Sequence, residues 1–131
     1  MIYIGNMLYL SGQQNETEEH RRHGEFNLMV DADSRDMAVD MFRKRIIDLK
    51  ESHDFFEGKT TIFLNQLLEF DRISKMEAAV VNFKSVIGDP IMPFIGCTLP
   101  SDVTDDCKIF DWDDDRPQID RQQRKPFLEF N

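Results

Sequence analysis

Polar and apolar residues alternate most clearly over Glu25–Asp33, where Phe26, Leu28, Val30 and Ala32 interleave with Asn27, Met29, Asp31 and Asp33. A period of two sends successive side chains to opposite faces, so the run predicts a half-buried strand. Residues 2–11 alternate more loosely and predict a first strand. The wholly polar stretch Gln13–Gly24 between them reads as the exposed tip of a long hairpin. After Asp33 the period changes. Ala38, Val39, Phe42, Ile46 and Leu49 recur at helical spacing, with Met41 and Arg45 at the margin of the stripe and Asp40/Lys44 and Lys44/Asp48 pairs on the other side. Ser34 stands as the N-cap and Asp36 suits the helix dipole, so a helix is expected over about 34–52.

Beyond the helix, Lys59–Leu64 is rich in strand-forming residues, Asn65 and Gln66 interrupt it, and Leu67–Ile73 resumes extended structure. A bulge or bend is expected there in place of one long straight strand. Ala78–Val86 alternates again and predicts a further strand, ended by Gly88-Asp89-Pro90. Pro90, Pro93, Pro100 and Pro117 then punctuate the chain, with room for a short strand at Phe94–Leu99. The order of elements predicts a single α+β domain over 1–131: a mainly antiparallel sheet of about five strands with one amphipathic helix packed on one face. An irregular segment is expected at about 100–124. The apolar tail 125–131 is expected to return to the core.

Composition supports a folded chain. Its 131 residues are one domain's worth, 40% of them are hydrophobic, and eleven are Phe. Charge changes the picture more. Eight of the sixteen aspartates lie between Asp102 and Asp120, and that stretch carries six of the nine net negative charges. A packed core cannot hold such a density, so the segment faces solvent or a partner. The acidic balance argues against direct nucleic-acid binding and against an anionic membrane surface, both of which need basic residues. The opening MIYIGNMLYLSG has no basic leader and is broken by Gly5 and Asn6; it reads as neither a signal peptide nor a membrane span. These features predict a soluble, cytoplasmic protein with Cys97 and Cys107 as reduced thiols, although their spacing leaves a bridge sterically open.

Motif chemistry is thin. Asp111, Asp113 and Asp115 take the first alternate positions of a calcium loop, but Arg116, Pro117 and Gln122 stand where its glycine, seventh residue and final glutamate belong. His20 and His23 sit among Glu18, Glu19 and Glu25, with no further ligand pair to complete a zinc site. The carboxylates of Asp105 and Asp106 beside Cys107 would raise a thiol's pKa and suppress a nucleophile. No phosphate loop, nucleophile elbow or zincin helix occurs. The expectation is a protein that is not an enzyme and carries no cofactor or metal.

Phe110 and Trp112, set among Asp111, Asp113, Asp114 and Asp115, form the candidate partner-binding site. The rings either anchor a solvated loop to the core or serve as an aromatic hot spot rimmed by carboxylates, suited to a basic protein partner. The leading function is therefore a small acidic protein-binding module of inhibitor, immunity or anti-defence type. It is similar to toxin-immunity proteins and phage inhibitors of bacterial defence in composition alone. The alternatives are a self-associating or adaptor domain with the acidic segment serving solubility, where a homo-oligomer is open, and a weak divalent-metal-dependent activity.

Overall fold

The computed structural model of the chain describes residues 1–15, 17–52, 56, 58–90, 95–97, 105–110 and 126–130. Two compact units are present, Met1–Val80 and Val81–Asn131. The first contains β1 (Ile2–Ser11), β2 (Arg22–Asp31), α1 (Arg35–Ser52) and β3 (Thr60–Phe70). The three strands pair antiparallel in the order β2-β1-β3. Among its described residues the second unit has no helix or strand. The α+β class and the single helix on one face agree with the sequence; the five-strand count does not.

Why the sheet is smaller than expected is visible at β3. The runs on either side of Asn65 are one strand: Asn6 of β1 pairs with Gln66 and Met7 with Leu64, so Asn65 opposes no residue. This is the bulge that the Asn-Gln interruption predicts. It keeps both halves in register, because Ile62, Leu64 and Leu67 all fall on the helix side once the extra residue is skipped. Ala78–Val86 joins no ladder, and Val80, Val81, Phe83 and Val86 are exposed. Alternation and β-branching favour a pleated surface, but a strand also needs a ladder partner for its backbone. Of Phe94–Leu99 only Ile95–Cys97 are described, and they form no strand. Of the tail expected to return to the core, residues 126–130 are described and exposed.

The core sits between α1 and one sheet face. Tyr3, Met7, Ala32, Ala38 and Phe42 are buried together, with Phe26, Leu28, Val30, Ile46, Ile62 and Leu67 packed around them. The predicted strand alternation and helix stripe therefore meet each other. Gly5 permits the closest approach: a Cβ there would lie 2.8 Å from Cε2 of Phe42. A second aromatic group closes the hairpin end, with the Phe56 ring centroid 5.4 Å from that of Tyr9 and 5.7 Å from that of Phe26. Lys50 Nζ donates to the Phe56 carbonyl, tying the chain after α1 to the last turn of the helix.

Local signals at the helix hold. The Met37 amide donates to Ser34 Oγ at 3.2 Å, the N-cap bond expected of that serine. The helix ends at Ser52. Asp40, however, pairs with Arg43 at 2.9 Å, one residue short of the expected Lys44. Both side chains are largely exposed, so this pair contributes little to stability.

Tyr3 crosses the sheet and donates its hydroxyl to Glu69 Oε1 at 2.9 Å. Burial raises its pKa above the ordinary 10.0, the Glu69 hydrogen bond and charge raise it further, and Arg35 partly opposes them.

Three outcomes follow. Phe42→Ala should lower unfolding stability by about 3–5 kcal/mol in denaturant titrations. Gly5→Ala should cost about 1–3 kcal/mol, because the added methyl must displace the Phe42 ring. Because the folded state holds the Tyr3 proton more tightly than the unfolded chain, its contribution is complete below the ordinary tyrosine pKa and lost as pH rises through the raised one. Denaturant midpoints should therefore fall in strongly alkaline solution, and Tyr3→Phe should flatten that fall.

Candidate functional site

The acidic segment is described at Asp105–Phe110, and the second unit shows how its near end is held. Cys97 and Cys107 form a disulfide across a Cα–Cα distance of 5.6 Å, closing a loop of sequence separation 10. This overturns the reading of two reduced thiols. A nine-residue spacer leaves bridged and open forms equally possible in sequence; only the meeting of the two backbones selects the bridge. Neither sulfur is free to act as a nucleophile.

Asp106 precedes the bridged cysteine with φ of 55°, the left-handed region that aspartate tolerates better than most side chains. Asp105, Asp106 and Lys108 are all exposed. Phe110 is 77% exposed. Trp112, Asp111, Asp113, Asp114 and Asp115 lie outside the described residues. The aspartate loop weighed for calcium lies there as well.

His20 and His23 do not share a helix. His20 ends the short 3-10 turn Glu18–His20 and His23 belongs to β2. The turn caps a hairpin tip in which Asn15 Nδ2 donates to the carbonyls of Gly12 at 3.1 Å and His20 at 3.3 Å. Among the described residues, no group of three or more His, Cys, Asp or Glu side chains gathers as a metal site. None of the described helices is long and apolar enough to cross a membrane.

Sequence reasoning missed a second feature. An apolar groove of about 350 Å³ runs between α1 and β3, floored by Met7 and Phe42 and walled by Val39, Ile46, Ile47, Ile62 and Leu64, with Arg43 at its side. It exists because α1 lies over β1 and β2 and leaves the helix-side face of β3 partly open. Ile47, apolar but off the main helical stripe, and Leu64 were its only signals in the sequence.

The bridge is directly testable. Without reductant, the denatured chain should take up no thiol-specific alkylating label, and after reduction it should take up two equivalents by intact mass. Loss of a loop closure of this length should destabilise the structure it closes by roughly 2–3 kcal/mol in Cys97→Ser. Comparison with protein-family models, curated proteins and solved structures finds no match, so the argument for function rests on the chemistry of this chain's own residues.

Proposed function

We propose that the chain is a non-enzymatic protein-binding module that presents its acidic, aromatic segment to a basic surface on a protein partner, as an inhibitor or immunity-type protein does. The observation that carries this reading is the exposure of Phe110 beside a disulfide-held loop. A phenylalanine left in water gains its burial energy only when something covers it, on the order of 2 kcal/mol. Carboxylates around it would steer a cationic partner toward the ring and suppress acidic ones. Arginine or lysine from the partner can also sit over the ring face. The bridge limits the conformations of the segment's near end and so reduces the entropy lost on docking. The same segment makes nucleic acid and anionic membranes poor partners.

Binding of this kind should weaken as salt rises. Immobilised chain should retain basic proteins at low ionic strength and release them at high ionic strength. Phe110→Ala, and separately the combined Asp111→Asn, Asp113→Asn, Asp114→Asn and Asp115→Asn, should each weaken the strongest association by roughly tenfold or more. Retention that ignores salt and survives both variants, or no retention at all, would sink the proposal.

A further inference from the structure

The bridge between Cys97 and Cys107 stands in surroundings unlike those of a crosslink inside a core. Among the described residues of Val81–Asn131, Cys97 alone is partly buried and every other residue is exposed. No helix or strand occurs there among the described residues either. Cys107 is itself exposed, so a thiol arriving from solvent meets that end of the bridge first. With no described packing to hold it, such a unit depends on its crosslink for shape, and exposed disulfides are the ones that reductants reach. We propose that Cys97–Cys107 is a redox switch: a dithiol reductant opens it at Cys107, and opening releases the near end of the acidic segment. Its meaning for docking rests on the function proposed above, while its chemistry and its test involve no partner, so either can fail alone.

The exchange balances with a dithiol as the reductant. One thiolate of the dithiol attacks Cys107 Sγ, the S–S bond breaks, and Cys97 leaves as a thiolate that takes up a proton. The dithiol's second thiol loses its proton and attacks its own sulfur in the mixed disulfide, expelling Cys107 as a thiolate that is protonated in turn. Two electrons pass to the bridge, and the reductant departs as a disulfide. The reverse steps, with an oxidised dithiol as acceptor, close the bridge again.

Local charge sets the direction of attack and the kind of thiol favoured. Asp102, Asp105, Asp106 and Asp111 lie within five positions of Cys107, against the single cation Lys108. No charged residue lies within four positions of Cys97. Negative charge disfavours a thiolate leaving at Cys107, so the first to leave is Cys97. The same aspartates repel an incoming thiol that carries further negative charge and attract one that carries an ammonium group. Salt screens both effects, because the groups are exposed.

Opening of the bridge in the native full chain, followed by alkylation and intact mass, tests the switch. Its rate with dithiothreitol should fall within about tenfold of the rate in denaturant. A native bridge that opens on the order of a hundredfold more slowly is a protected crosslink and overturns the proposal. Cysteamine, 2-mercaptoethanol and mercaptoethanesulfonate, cationic, neutral and anionic, then probe the charge, each corrected for its thiolate concentration and for its rate on uncharged hydroxyethyl disulfide. At low salt the cationic thiol should outpace the anionic one by roughly threefold or more, and Asp105→Asn with Asp106→Asn should narrow the gap. The first mixed disulfide, trapped by acid, should sit on Cys107. Equal rates for the three thiols, or a mixed disulfide on Cys97, would contradict the assigned route. Trp112, the chain's single tryptophan, reports on the segment itself. Its fluorescence anisotropy should fall on reduction and recover on reoxidation, while Cys97→Ser combined with Cys107→Ser starts low and ignores the dithiol. Anisotropy indifferent to reduction would show a reducible bridge that switches nothing.

Discussion

The seating of the Phe42 ring on the backbone of Gly5 organises the first unit. A strand in the middle of a sheet ordinarily raises a side chain at every second position, and a helix laid over it stays a side chain's height away. Gly5 removes that height at one point. Tyr3 and Met7, two residues to either side, then become the walls of a slot into which the ring sits, and all three side chains are buried. The helix is thereby located over β1 and β2, not centred on the sheet. From that placement comes the open groove beside β3, while the Tyr3 hydroxyl reaches Glu69 because the two are cross-strand partners in the β1–β3 register. Gly24 repeats the device, its bare backbone lying under the Tyr9 ring, which also packs with Phe26 and Phe56.

A sheet covered on one face only would normally carry polar residues on the other. Here the second face mixes the two: β1 presents Ile2, Ile4, Leu8 and Leu10 around Asn6, β2 presents His23, Glu25, Asn27 and Asp31 beside Met29, and Asn6 bonds to both Asn27 and Asn65. Exposed amides have water available and gain little from bonding among themselves. The acidic segment's charge is incompatible with any covered position, and Phe110 stands out in solvent beside it.

Local interactions account for most of what could be read in advance. The Ser34 cap, the end of α1 at Ser52, the β1–β2 hairpin with its polar tip and the faces of β2 depend on neighbours within a few residues or on simple periodicity. Asn65 was legible as an interruption for the same reason. Readings that required a distant partner fared worse. Ala78–Val86 has the pattern of a strand and no ladder; among local readings only the Asp40 pairing missed, Arg43 at i+3 taking the place of Lys44 at i+4. Of the candidate site, Phe110 was legible as a ring in an acidic run; its solvent exposure was not, because burial is a property of what surrounds a residue.

By itself the sequence determined the α+β class, the helix and its cap, the helix-facing side of β2 and the concentration of negative charge after Asp102. Tertiary structure alone decided that three strands and not five make the sheet, that the two runs around Asn65 are one bulged strand, and that Cys97 and Cys107 come within bonding reach. It also decided that α1 packs on one sheet face and that no other described helix or strand packs on the sheet. The division has a physical cause. Periodicity, capping and charge are carried by residues near one another in the chain, while ladder partners, backbone approaches and uncovered faces arise only when distant segments meet.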